Sequence, residues 1–297
     1  MKNNSEKLLL IISIIFIILG VGIFLYPSIS NYLAEKNHID IIRNYDDLIV
    51  KIDEEKINEE KEKAKIYNEN LSGDPVHDPF VIGSGYALPE NYKEVLNIAG
   101  DSVMGYVEIP KISVYLPIYH GTSDEVLEKG VGHIQNTSVP IGGKSTHSVL
   151  TGHTGLPNAE LFTRLDELGI GDIFYIHVLD DVLTYKVFET KVILPDKIDE
   201  LQILNGKDYI TLVTCTPYGV NSHRLLVKAE RVEYEEYSVT KSTTDEEGTD
   251  TKKESPSKHY YLTGTQIGIV LLVLILTIVS IIGISIRRKK NLYRIKK

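Results

Sequence analysis

Two uninterrupted apolar runs frame this chain and constrain everything between them. Residues 8–26, LLLIISIIFIILGVGIFLY, and residues 267–286, IGIVLLVLILTIVSIIGISI, carry no charged side chain. A helix needs about 20 apolar residues to cross the hydrocarbon core of a bilayer, so each run is long enough to span. The first exceeds the apolar core of a secretory signal, typically about 7–15 residues, and Tyr26-Pro27-Ser28-Ile29-Ser30 makes a poor cleavage site. It reads as an uncleaved anchor. The tail RRKKNLYRIKK, residues 287–297, holds seven Lys/Arg, and basic flanks stay on the cytoplasmic side. Lys2 and Lys7 place residues 1–7 there too. The expectation is a two-pass membrane protein with both termini inside the cell and residues 27–266 outside.

The chain has 32 Lys+Arg against 41 Asp+Glu, a net charge of −9. The basic tail lies inside, so the external part is more acidic still. Such a surface repels polyanions and argues against nucleic acid as a partner. No HExxH or CxxC pattern is present, so neither a metal nor a cofactor is expected. The chain makes one cysteine, Cys215. A lone external cysteine points to an intermolecular bridge or a reactive thiol. A buried free cysteine is more often a small hydrophobe, and only its surroundings decide.

Residues 27–73 form a juxtamembrane helical region. Ile39, Ile42, Leu48, Ile52 and Ile57 recur near helical spacing and then fade into a Glu/Lys run. One or two helices there would either pack on the main domain or hold it off the membrane. Residues 74–85, DPVHDPFVIGSG, are turn chemistry, and NYKEVLNIAG predicts a short helix. Residues 86–235 form the main domain. YVEIPKISVYLPIYH, SVLTGH, DIFYIHV, LTYKVFETKVIL, YITLVTC and HRLLVKAERVEY are rich in β-branched and aromatic residues. Within residues 105–234 helices are predicted only near residues 123–128 and 158–168, capped by Ser123 and Asn158. This pattern is mainly β and predicts a closed barrel, not a doubly wound sheet. Residues 236–266 are a polar linker, read as disordered.

Cysteine nucleophiles act as thiolates. They need a proton-exchanging partner and a donor for the oxyanion of the tetrahedral intermediate. TLVTC ends a strand, TPYGVNSH holds the turn formers Pro217, Gly219 and Asn221, and RLLV resumes a β pattern. If the two strands pair, Cys215 and Arg224 lie side by side, with His223 on the opposite face. Nine histidines compete for the proton-transfer role. His38 and His259 sit in flanking sequence, and His177 lies inside a strand. His120, His133 and His147 flank turns. His153, in SVLTGHTGLPNAE, ends a strand as Cys215 does, which gives it a modest lead over His120 and His133.

TLVTC followed by TPYGVNSHRLLV closely resembles the active-site hairpin of sortases. SVLTGHTGLPNAELFTRLDEL resembles their histidine segment, and GYVEIPKISVYLPIYHGT fits upstream. The likeness covers roughly residues 75–235. It implies a sortase-type β-barrel of about eight strands, with Cys215 as nucleophile, His153 as general acid/base and Arg224 as oxyanion and substrate-positioning residue. The hairpin, the extended N-terminal region and the second span resemble the class C, pilus-assembling group. That group carries a lid with an Asp-Pro-aromatic motif, which Asp78, Pro79 and Phe80 match. The implied reaction is cleavage of an LPXTG-like sorting signal between Thr and Gly through a thioacyl-enzyme. A pilin lysine amine would then resolve the thioacyl-enzyme. The implied partners are pilins or surface proteins bearing such signals. Rival readings are a housekeeping sortase that uses a cell-wall amine, a papain-like protease and a membrane-anchored binding module with an inert cysteine. Papain-type nucleophiles lie near a helix start with the histidine downstream; here the order is reversed.

Overall fold

The computed structural model describes residues 2–71 and 91–233. The motif at Asp78, Pro79 and Phe80, the linker 236–266, the apolar run 267–286 and the basic tail lie outside the described residues. The chain divides into two units, and the longer helix α1 (Lys2–Ile49) contributes to both: residues up to Tyr32 belong to one, and Leu33 onward to the other, which runs to Lys258. Among the described residues, α1 is the one helix long and apolar enough to cross a membrane. It passes through Pro27 without ending there. Ile14, Phe16, Ile18 and Ile23 are exposed along it, as lipid-facing side chains would be.

Helix α2 (Glu54–Glu69) follows a short turn. The sequence left open whether these helices dock on the barrel or stand off it. Within the larger unit they dock. Ile42, Tyr45, Ile49, Ile57, Ala64 and Tyr67 join the main core. Directional contacts fix the register. The Tyr45 hydroxyl donates to the Met104 carbonyl (3.2 Å) and accepts from Leu179 N–H (2.8 Å). Asn68 pairs with both backbone groups of Val139, at 2.8 and 3.2 Å. His38 Nε2 lies 2.8 Å from the Lys129 carbonyl. Burial of this imidazole pushes its pKa below the usual range.

Eight strands close a barrel. In chain order they are β1 (Val103–Ile109), β2 (Val114–His120), β3 (Val131–His133), β4 (Thr146–Thr151), β5 (Ile173–Val178), β6 (Asp181–Ile193), β7 (Asp208–Thr216) and β8 (His223–Val232). Around the barrel they run β1-β2-β3-β4-β7-β8-β6-β5. Pairs β2–β3 and β4–β7 are parallel, and the others are antiparallel. Closure leaves no open edge to template aggregation.

Side-chain alternation sorts each strand into an inner and an outer face. Leu150, Ile210, Leu212, Leu225, Val227 and Ala229 enter the main core. Their alternates Val149, Val213 and Leu226 join Ile134 and Leu201 in a second, smaller cluster. That cluster therefore lies on the outer face of β4, β7 and β8. Leu201 comes from the β6–β7 connection. Its neighbour Glu200 bonds to Lys191 and to Lys228 (2.6 Å), and these two amines push its carboxyl down to about 2.

Helix α3 (Asp124–Lys129) forms where Ser123 predicts it, with the Ser123 Oγ accepting from Val126 N–H. Two other helical expectations are corrected. Residues 158–168 form turns and a short 3-10 segment, Leu165–Glu167. The reason is competition for donors: Phe162 N–H bonds to the His153 carbonyl (3.1 Å), not to Asn158 four residues back. Leu161 also takes a positive φ of 39°. NYKEVLNIAG likewise makes turns only, because Leu96 breaks the coil at φ 62°. Strand β3, three residues long, gave no periodic signal in the sequence.

Candidate active site

Strands β4 and β7 run parallel in the register Val149↔Thr211 and Thr151↔Val213. The ladder continues beyond β4, with Gly152 N–H donating to the Val213 carbonyl at 3.1 Å. The residue after Gly152 is His153, which opens the loop beyond the end of β4, two positions past Thr151 as Cys215 is two positions past Val213. On the other side of β7, Cys215 is the direct partner of Arg224 in β8. Adjacent strands lie about 4.8 Å apart, so β7 and β8 carry thiol and guanidinium side by side, and with His153 on the loop that leaves β4 they make up a candidate row.

Cys215 and Arg224 share the outer face with Val213 and Leu226. Thr214, the inward neighbour of Cys215, is buried and donates its hydroxyl to the Gly152 carbonyl at 2.7 Å. That bond ties β7 to the residue preceding His153. Cys215 is 8% exposed and Arg224 5%, so sulfur and guanidinium stand in a low-dielectric wall. The Arg224 Nη1 donates to the carbonyls of Asn221 and His223, both at 3.1 Å, which holds the fork in one orientation. Asn221 supports this turn at φ 59°, a conformation asparagine tolerates better than most residues.

His153 is half-buried. Burial lowers its pKa below the usual 6.5, while the carboxylates of Asp124 and Glu128 in α3 pull it back up. The competing histidines separate on environment. His133 is fully buried, and desolvation pushes its pKa down to about 3. Its Nε2 lies 2.8 Å from the Ser138 carbonyl and its Nδ1 2.9 Å from the Tyr92 hydroxyl. A neutral ring donating from Nε2 and accepting at Nδ1 satisfies both. His147 is likewise lowered by burial, to about 4, with Gln202 and Thr211 as partners. His120 has both ring nitrogens on backbone carbonyls, those of Ser102 and Val95. His177 pairs with Glu108 and stacks on Tyr106. These four are structural histidines, and none shares the row with Cys215.

The loop carrying His153 is tightly seated. A Cβ on Gly152 would meet the Phe162 ring at 2.9 Å, and Gly155 N–H donates to Thr163 Oγ1 at 3.0 Å. Sequence reasoning missed the roles of Gly152, Thr214, Asp124 and Glu128, because nothing in their spacing announces contact with residues about 60 positions away or across a loop. Among the described residues no group of three His, Cys, Asp or Glu could hold a metal.

The sortase-domain family profile matches residues 107–232, which includes the whole row. The solved sortase C of Streptococcus pneumoniae, reported for its bearing on catalysis and pilin substrate specificity, is 41% identical. The match covers 66% of this chain and 97% of that one, with a TM-score of 0.61. The chain belongs to the sortase family. A pilus-related sortase C of Group B Streptococcus gives 40% identity, 65% and 97% coverage and a TM-score of 0.60. Sortase D of Bacillus subtilis is 33% identical over 131 residues; the match spans 43% of this sortase and 63% of that relative. The mainly β, eight-stranded closed barrel is the architecture these sortases share with it.

Proposed function

We propose that this sortase is a membrane-anchored cysteine transpeptidase that joins pilin subunits. The observation that supports this reading is the pairing of Cys215 with Arg224 across β7 and β8, beside the parallel β4 whose following loop begins with His153. The likeness to sortase C of Streptococcus pneumoniae supports a pilin as substrate.

The chemistry follows from the row. The Cys215 thiolate attacks the carbonyl carbon of the Thr–Gly bond in an LPXTG-like sorting signal. The oxygen becomes an oxyanion, and the fixed Arg224 fork donates to it. Collapse expels the glycine amine, which takes a proton from His153, and leaves a thioester on sulfur. A lysine amine of a second pilin attacks that thioester and gives its proton back to the imidazole. An amide forms and sulfur leaves as the thiolate, which restores the starting thiolate–imidazolium pair. Donors fixed before the reaction need no reorganisation as charge develops, which is why they lower barriers.

The test is direct. Incubation with a purified pilin should give a covalent ladder on a denaturing gel, and mass spectrometry should trap a thioacyl adduct on Cys215. A Cys215→Ala protein that still processed substrate would end the proposal. Release without polymer, or linkage to a cell-wall amine, would instead favour the housekeeping reading. The Asp78-Pro79-Phe80 motif extends the proposal to a lid over the thiol. Replacing Asp78 and Phe80 with Ala should speed labelling of Cys215 by a thiol reagent, and unchanged labelling counts against a lid. The two-pass topology, with both termini inside, is tested by protease protection of terminal tags in intact cells.

A further inference from the structure

We propose that Tyr218 is a positioning residue that couples the turn after the nucleophile to the loop carrying His153, and so sets the spacing of imidazole and sulfur. This rests on the roles proposed above for Cys215 and His153.

Tyr218 lies three residues beyond Cys215 on the β7–β8 turn, and it is 69% exposed. Despite that exposure, its ring has a committed contact. A Cβ placed on Gly155 would sit 2.9, 3.2 and 3.4 Å from Cε2, Cζ and Cδ2 of Tyr218. One edge of the ring therefore rests on the bare backbone of Gly155, two residues after His153. Gly155 has φ +75°, a left-handed conformation glycine adopts without strain, so both the turn and the close approach call for glycine here.

Both sides of this contact are anchored. On the tyrosine side, the Pro217 carbonyl accepts from Val220 N–H (3.0 Å) and Asn221 N–H (2.9 Å), closing the turn around Tyr218. Arg224 Nη1 then bonds to Asn221 within the same turn. On the histidine side, the loop is held from behind by Phe162 and Thr163. The ring thus completes a continuous path from Cys215 through Pro217, Tyr218 and Gly155 to His153. Strand register fixes the two backbones only as far as Gly152, and His153 itself lies past the end of β4. A contact outside the ladder is what this last step needs. A displacement near 1 Å in such a pair can cost about 10²-fold in rate.

The full-length chain in detergent micelles serves for the test. Three quantities are read: kcat and KM with an LPXTG-like peptide, the pH midpoint of Cys215 alkylation by iodoacetamide, and the thermal midpoint. A thiol deprived of its imidazolium neighbour titrates higher. Tyr218→Ala should therefore lower kcat/KM about 10–10²-fold, mainly through kcat, and move the alkylation midpoint upward. Tyr218→Phe, which keeps the ring edge, should restore both. Should Tyr218→Ala fail to melt cooperatively, Tyr218→Leu is measured in the same way. The proposal is overturned if the alkylation midpoint stays put, if Tyr218→Phe is as impaired as Tyr218→Ala, or if the loss lies wholly in KM. Absence of any thioacyl adduct in the wild type would sink the transpeptidase reading instead, so the two failures are distinguishable.

Discussion

Arg224 makes the most direct claim at the scale of single residues. Its guanidinium is almost fully covered, lies opposite Cys215 and is held by two carbonyls of its own turn. Arg224→Ala should slow turnover about 10²–10³-fold, as loss of one oxyanion donor does elsewhere. Single-turnover kinetics with the sorting peptide measures this, and activity within a few-fold of wild type would refute the role. The buried histidines predict an acid-labile fold. His133 and His147 are neutral in the native state, with pKa values near 3 and 4, against 6.5 when unfolded. Below pH 6.5 the unfolded chain binds more protons than the native one, so stability present above that value is lost as pH falls towards 4 and 3. Thermal midpoints should drop from pH 6.5 to 4.5, and the drop should be shallower in His133→Gln and His147→Gln. The sequence carried Cys215 and Arg224 plainly, through a strand, turn residues and a resumed strand. It gave His153 only a modest lead over His120 and His133, because the burial and partners that distinguish these rings are properties of the folded environment.

At the scale of elements, the strands were the legible part. In LTYKVFET the alternates Leu183, Tyr185 and Val187 of β6 enter the core, while Phe188 is exposed. The misread segments share one cause. In 158–168 and in NYKEVLNIAG the local pattern favours a helix, but backbone groups are claimed by distant partners or bent at positive φ. Propensity acts over a few residues and yields to such contacts. The docking of α2 rests on one such distant partnership, the two hydrogen bonds between Asn68 and Val139, a residue that is itself fully buried. Asn68→Ala strands a buried N–H and a buried C=O, at about 1–3 kcal/mol for each unsatisfied group. In a domain of this size each kcal/mol lowers the melting midpoint by about 2–4 °C. Calorimetry should show a drop of that order; an unchanged midpoint would mean that water replaces the side chain without loss.

The docked helices decide how the whole molecule behaves when cut. Core residues from Ile42 to Tyr67 belong to the same cluster as the barrel interior, so the barrel and its helices melt as one body. A chain of residues 33–258 should unfold cooperatively, whereas one of residues 72–258 should be markedly less stable, with earlier urea and thermal midpoints. Equal midpoints would show that the helices are mere spacers. Sequence alone could not choose between these outcomes, since the same Ile and Tyr spacing serves a docked helix and a free amphipathic one. The barrel class was readable because it depends on the density of β-branched residues, and the N-terminal apolar helix because it depends on run length; both are properties of the chain itself.

Parallel pairing of β4 with β7 has a temporal consequence. The Gly152–Thr214 bond joins positions 62 residues apart, and Arg224 follows later still. A polypeptide emerging N-terminus first has already released its imidazole segment before its sulfur is made, and the guanidinium arrives last. No partial chain ending short of β8 holds all three groups, so the candidate row is complete only once the last strand has been made.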